Sequence, residues 1–499
     1  MAVKRFFATK DNTITNAFKE GLSIRGTGSN MGLSDIIEVF NIYGQATSAS
    51  SELSRGLVQF NTTAVAASRS AGKIPASGSV DFYLKMYDAA HEESTPREFT
   101  LTVAAISQSW TEGTGLDMVN YTDKGVSNWI SASQGTAWTS EGGDFLTGSA
   151  APYGNAGTHT SQSFTLGTEN LDVNVTSFVE EWLLATGTPD TTGNYGFGVF
   201  LTSSLEDGST SYYTKKFFAR GSEYFHKRPV LEARWNDSVA DDSSNFYLSS
   251  SRAPAADNLN TIYMYNYVRG QLVNIPSFGT GATINVSVYS GSTGPIGNAL
   301  QLPLGGGVVA TGDTNITGGY VSKGIYSASF AYNLPAITSI YPVWHNGSST
   351  QFFTGSAITV ETVDNASAYP IKDWVIDITN LKTVYSTDEL ARFRLYVRPK
   401  NWSPNLYTIA QTQIETTPIK KAYYQLTRDV DNAIIIPYGT GSGNESYTQL
   451  SYDVSGNYFD IDIAMLQSGY TYQLSFLFNL AGNYSANKTK FKFRVSDGD

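Results

Sequence analysis

No cysteine occurs in the 499 residues, and the four histidines, His91, His159, His226 and His345, are scattered. Disulfides, thiolate metal sites, cysteine nucleophiles and iron–sulfur clusters are therefore excluded, and no HExxH or other paired-histidine spacing is present to hold a transition metal. The fold must hold by packing. Charge is scarce as well, at 15% of residues, and it leans acidic: 33 Lys and Arg against 44 Asp and Glu leave a net charge of −11. A chain of that sign repels phosphate, which excludes nucleic acid as a partner. No stretch approaches the ~20 consecutive apolar residues of a membrane-spanning helix, and the opening MAVKRFFATKDNTITNAF has no apolar run of signal-peptide length. The expectation is a chain that neither inserts into a membrane nor is exported conventionally. Walker and GxSxG sequences are also missing. The glycine run from Gly26 to Gly32 lacks the lysine and the strand–loop–helix setting of a phosphate loop and reads as a strand connection.

Acid chemistry is equally thin. A glycosidase needs two carboxylates flanking a bond, but the pairs Glu92 and Glu93, Glu180 and Glu181, and Asp241 and Asp242 are sequence neighbours, and neighbouring side chains point different ways. Asp11 and the acidic stretch around Asp241 offer oxygen ligands of the kind Ca²⁺ takes, without the spaced loop of an EF-hand. No catalytic residue, metal or cofactor is assigned, and the chain is expected not to be an enzyme.

What is present is aromatic and alternating. Aromatics reach 13%, including 31 Tyr, 26 Phe and 8 Trp, which argues against disorder. Helical periodicity is scarce, whereas apolar residues recur every second position. Phe99, Leu101 and Val103 share one face, as do Ile284, Val286 and Val288, then Phe393, Leu395 and Val397, and finally Phe491, Phe493 and Val495. Each segment turns one face to a core and the other to water. Asp207-Gly208, Asn346-Gly347 and the glycine run from Gly439 to Asn444 supply turns between such segments. The fold class is all-β, in serial β-sandwich domains. Two short helices are predicted from capping-box spacing. In the first, Ser177-x-x-Glu180 precedes the stripe Phe178, Val179, Trp182 and Leu183; in the second, Ser386-x-x-Glu389 precedes Leu390 and Phe393.

Composition also places the boundaries. The acidic, small-residue stretch Asn236 to Asn245 reads as a linker, and Val363 to Pro370 as a weaker break. Three modules result, at 1–236, 245–363 and 369–499, the last two being immunoglobulin-like or jelly-roll sandwiches. In series they would make a stiff rod or arm.

Five of the eight tryptophans, Trp110, Trp129, Trp138, Trp182 and Trp235, fall in the first module. Sandwich cores use such rings, and sugar rings stack on those left exposed. Most are assigned to packing; Trp129 and Trp138, in the polar WISASQGTAW stretch, are the expected exposed pair. Together with Trp110 they are the glycan-binding candidates.

The succession FTLTVAAISQSWTEGTGLDM, GVSNWISASQGTAWTSEGGDF, LDVNVTSFVEEWLLATG with NYGFGVFL, and FFARGSEYFHKRPVLEARW resembles the DNRLRE-type, carbohydrate-binding-module-like domain over most of residues 1–235. Its marks are Trp110 before the Glu112-Gly113 turn, the Trp129-to-Trp138 spacing with Gly142-Gly143-Asp144, the Val179 and Trp182 helix, and Arg228-Pro229 before a final strand. The resemblance implies an N-terminal jelly roll of a kind found in extracellular bacterial and phage particle proteins, some of which bind polysaccharide. The opening KRFFATKDNTITNAF, RGTGSNMGLSDIIEVFNIYGQ and the Tyr-, Asn- and Thr-rich modules behind it are similar to virion proteins of tailed phages, notably marine cyanophages. The expectation is a non-enzymatic virion component, such as a fibre, tail-associated or capsid-decorating protein. It would self-associate and contact other virion proteins. The alternative is a host-glycan adhesin acting through the first module.

Overall fold

The computed structural model describes residues 2–90, 96–122, 126–146, 159–184, 193–278, 283–303, 312–347, 350–362, 373–400, 416–441, 446–480 and 482–497. The architecture is all-β, with sandwich-like sheets following one another along the chain. Among the described residues no helix is long and apolar enough to cross a membrane.

The first module is organised by its opening strand, Val3–Thr15. Its first half pairs antiparallel with Val230–Arg234, its second half with Ser51–Phe60, and a register shift between Ala8 and Lys10 marks the crossing. An extra residue in one strand bends the ladder, so a single strand can serve two sheets. Outside it lie Asp81–Met86 and Leu171–Asn174 on one sheet, and Phe197–Leu201, Phe99–Ala105 and His159–Phe164 on the other. Between the sheets, Phe197 meets Phe60 at 6.5 Å and receives the ring of Trp182 at 4.8 Å and the edge of Phe178 at 5.8 Å.

Those last two rings come from the helix Thr176–Leu184, which forms where the apolar stripe predicts it. Its capping box does not form. The Thr176 N–H donates instead to Asn174 Oδ1, and Glu180 takes both terminal nitrogens of Arg69, at 2.8 and 2.5 Å. Arg69 closes a helix that sequence reading missed, Thr62–Ser70, capped by Asn61. Glu180 thus ties helix to helix. The second predicted helix is absent. Ser386 ends a strand, Val384–Ser386, that pairs parallel with Phe491–Ser496, and the strand Leu390–Pro399 starts one turn later. Leu390 is exposed, Glu389 salt-bridges Lys382, and Phe393 faces a core as a strand residue. Alternation of Arg392, Phe393, Arg394 and Leu395 outweighs a local cap signal, because burying every second residue gains more than one capped N–H.

The second module is an eight-stranded sheet around Phe246, Val286, Tyr326 and Trp344. In the third, a four-stranded and a six-stranded sheet enclose an aromatic stack in which Phe459 lies between Phe393, at 5.2 Å, and Tyr424, at 4.6 Å. Buried apolar residues of the first and third modules form one connected cluster, so the third module sits against the first rather than merely following the second. The predicted linker is not free either. Ala240 bridges in parallel to Tyr452, and Asp241 and Asp242 are buried. The predicted break at Val363 to Pro370 lies outside the described residues.

Where the first and third modules meet, the outer face of the Val230–Arg234 sheet is charged yet covered. Arg5 Nε donates to Glu232 Oε2 at 2.7 Å, Arg234 Nε to Glu232 Oε1 at 2.7 Å, and Arg234 Nη2 to both oxygens of Asp172 at 2.9 Å. The third module closes over Arg5, Glu232 and Arg234, leaving Asp172 at the exposed rim: Arg5 also donates to Ile435 O, Arg234 stacks 5.2 Å from the Tyr447 ring, and His226 Nε2 lies 3.2 Å from the Tyr472 hydroxyl. The side chains of Arg5 and Glu232 are 2% and 1% exposed. Burial opposes charge on Glu232, but Arg5, with Arg234 and Lys85, outweighs it and holds the carboxyl well below the usual range. Removing one partner from such a layer strands the others. Glu232→Gln is expected to cost about 3–5 kcal/mol in urea unfolding; a loss under about 1 kcal/mol would mean that water reaches the layer.

Candidate functional site

The three candidate tryptophans converge, but inward. Trp110, Trp129 and Trp138 are 3%, 4% and 5% exposed and pack with Ile14, Leu57 and Ile106 into a small second core. This core lies under the long excursion that follows the strand Phe99–Ala105. The expected exposure of Trp129 and Trp138 is thereby corrected. The WISASQGTAW stretch is polar because it forms the small hairpin Ser131–Ser133 with Thr136–Ala137, whose outer positions are Ser, Thr and Gln while its two tryptophans fold beneath. Indole N–H groups are satisfied by backbone: Trp110 Nε1 donates to Tyr195 O and Trp138 Nε1 to Asn128 O, both at 2.8 Å.

The Gly142-Gly143-Asp144 motif belongs to the same packing. Gly142 has φ +90° and approaches Trp129 so closely that a Cβ would stand 2.8 Å from the ring, while Asp144 accepts the N–H groups of Thr139 and Ser140 at 2.8 and 2.9 Å. Arg55, which sequence reading overlooked, joins the parts. Its guanidinium sits 5.2 Å from the Trp129 ring and 5.3 Å from Phe200, and it donates to both oxygens of Glu206 and to Gly142 O. A strand, a loop and a short helix are held by one side chain.

Two further constellations bring chemical groups together without any sequence signal. In the first, the Asp11 N–H donates to Glu112 Oε1 at 2.8 Å, Arg220 clasps Glu112 at 2.9 and 3.2 Å, and the Arg220 N–H donates to Asp11 Oδ2. Separations of 101 and 108 residues hide the trio from any spacing rule. Asp11 is 2% exposed. Burial, with the Glu112 charge adding to it against the Arg220 N–H, pushes its carboxyl up to about 7. In the second, Ser287 Oγ lies 2.9 Å from His345 Nε2 and 2.9 Å from Asn315 Oδ1. This is the spacing of a serine–base pair, but the bond directions forbid the reaction. The Gly347 N–H donates to His345 Nδ1, so the neutral ring carries its proton on Nε2 and donates to Ser287, whose own hydrogen goes to Asn315. The imidazole cannot accept the serine proton.

Other sequence candidates are dispersed. Glu180 is engaged with Arg69, Asp242 with Lys420, and His226 lies in the inter-module layer; His91, Glu92 and Glu93 lie outside the described residues. Among the described residues there is no group of three or more His, Asp or Glu suited to a metal ion. A shallow open depression runs past Thr100, Ser163 and Thr202. Phe99 and Phe164 are among its lining residues, but they stack on each other at 4.8 Å and are both buried.

No family model matches the chain, and no curated protein matches it. Among solved structures it is similar to a crystal structure of Salmonella alpha-2-macroglobulin reacted with methylamine, at 8% identity and a TM-score of 0.15, with 93% of this chain aligned to 21% of that one. The chain thus spans about a fifth of that protein, and a likeness of this degree carries no argument about function.

The tryptophan core predicts stability effects in place of binding effects. Trp129→Ala or Trp138→Ala is expected to cost about 3–5 kcal/mol of unfolding free energy and to leave the glycan-array signal per folded molecule unchanged. The Asp11 carboxyl carries a pH signature. Its folded value lies above its unfolded one, so its charge destabilises the fold as pH rises from about 4 to about 7 and by a constant amount above that. Asp11→Asn should match the native chain in acid and exceed its stability by ~2–4 kcal/mol at pH 8, read from paired thermal melts at the two pH values.

Proposed function

We propose that the chain is a non-enzymatic structural component of a tailed-phage virion, acting through protein–protein assembly. The observation that carries this reading is a group of exposed apolar side chains at one end of the first module. Leu22, Ile24, Leu33, Leu116 and Val119 are between 40% and 66% exposed. They are neighbours by backbone and side-chain bonds: the Leu33 N–H donates to Gly115 O, Lys19 N–H to Ile24 O, and Lys19 Nζ to Val119 O. Ser29–Asn30 and Asp117–Thr122 pair to hold the two loops side by side. Exposed apolar side chains grouped on adjoining loops are the kind of surface that another protein covers.

Stiffness supports the same reading. With the first and third modules sealed across a buried charged layer, the loop end is presented on a rigid body, as a particle component must present its contacts. Resemblance of the first module to DNRLRE-type domains of particle proteins points the same way. For the alternative, a host-glycan adhesin, the three nominated rings are covered, and no other observation favours it.

Mass spectrometry of purified particles tests the proposal, and absence of the chain at stoichiometric copy number would defeat it. In addition, the double substitution Ile24→Lys and Leu116→Lys should leave the melting temperature within a few degrees of native, since both side chains are exposed. It should also reduce incorporation into particles at least tenfold.

A further inference from the structure

The acidic stretch between the first two modules is clamped between the second and third. We propose that this clamp is a pH-sensitive joint, in which the second module docks on the third more tightly in mild acid than at neutral pH because Asp241 takes up a proton.

Asp242 is the pin. Its Oδ2 accepts the N–H of Thr261 in the second module at 2.9 Å, and its Oδ1 accepts Lys420 Nζ at 2.9 Å and the Tyr452 hydroxyl at 3.0 Å, both from the third. The chain just before it lies along the third module as an added strand, with Tyr452 N–H donating to Val239 O at 2.9 Å and Asp241 N–H to Tyr452 O at 3.1 Å. On the other side, Lys420 lies 5.6 Å from the Tyr247 ring of the second module. Both modules therefore hold the same three-residue turn, Asp242–Ser244, which Asp241 caps.

The charges in this joint are unevenly matched. Asp242 is neutralised by Lys420, and Asp453 by Arg394 at 3.1 and 2.9 Å. Asp241 is held by the N–H and hydroxyl of Ser243, at 3.0 and 2.5 Å. Around it stand Asp242 from its own stretch, Tyr263 and Tyr265 from the second module, and Asp453 and Tyr452 from the third. The neighbouring strand Ile358–Glu361 adds one acid, Glu361, which is exposed. The nearby Tyr265 hydroxyl is buried and makes no hydrogen bond among the described residues. Burial, opposed by the Ser243 bonds and reinforced by Asp453 and Asp242, pushes the Asp241 carboxyl up to about 6.

The sign follows. Docking raises the proton affinity of Asp241, so lowering the pH favours the docked form. The docking constant should rise about tenfold per pH unit between about 6 and about 4, where the undocked carboxyl begins to protonate, and stay level outside that window.

Hydrogen exchange of the full chain reads this: the Thr261 amide donates to Asp242 from the second module, and the Asp241 and Tyr452 amides hold the linker to the third, so opening of the joint exposes the Thr261 amide first. After correction for intrinsic exchange, their protection factors should climb about tenfold per unit from pH 6 towards pH 4 in the native protein. In Asp241→Asn, which keeps the capping oxygen, they should be high and level. Amides of the strand Phe99–Ala105 serve as the reference. A second variant, Asp453→Asn, removes a neighbouring charge and frees Arg394, and should move the transition to lower pH. Native and Asp241→Asn profiles that run parallel across the range, or an unmoved transition in Asp453→Asn, would overturn the joint.

Discussion

The arrangement of this molecule depends on a buried layer of opposite charges between its first and third modules. In an antiparallel sandwich the outer face of a sheet is normally the wet one. Here the face carrying Arg5, Glu232 and Arg234 is covered, with Asp172 at its exposed rim, and every residue of Val230–Arg234 is buried on both sides of the sheet. Charges removed from water must be matched by geometry, or the interface costs more than it contributes. The matching is tight: Arg5 and Glu232 are register partners across neighbouring strands, Arg234 spans from Glu232 to Asp172, and Tyr83 and Tyr447 enclose the Arg234 guanidinium from the two modules. Such a layer is directional where an apolar one is not, so it sets one relative placement of the two sandwiches.

A related economy governs the long loops of the first module. They carry polar sequence and still need an interior, which they obtain by folding three tryptophans beneath themselves. Buried amides do the rest. Asn12 donates to Ser127 and accepts from the Met31 N–H, while Asn30 donates to Ser127 O and accepts from Gly32 and Gly115. Apart from the local bond from Gly32 to Asn30, each of these asparagines reaches partners in other segments, so a few satisfied side chains hold together segments that lack a regular ladder. The ends of these loops are left with apolar side chains facing outward, the surface on which the assembly reading rests.

The alternation of Phe393, Leu395 and Val397, or of Phe491, Phe493 and Val495, was sufficient to place strands and the all-β class, because a period of two is a local property of the backbone. The helix carrying Phe178 and Trp182 was legible from its apolar stripe of ~3.6-residue period, which is equally local. Other features depended on residues far apart in the chain. Ser386 and Glu389 have the spacing of a cap but sit between strands whose partners decide the matter. A run of small acidic residues reads as a linker until two modules close on Asp242. Exposure of Trp129 and Trp138 could not be judged from polar neighbours, since a hairpin turns its polar side outward whether or not its aromatic side is covered. Nor could any spacing join Asp11 to Glu112 and Arg220, or Ser287 to His345. Periodicity is written residue by residue, whereas burial, charge pairing and proton position arise only when distant segments exclude water from one another.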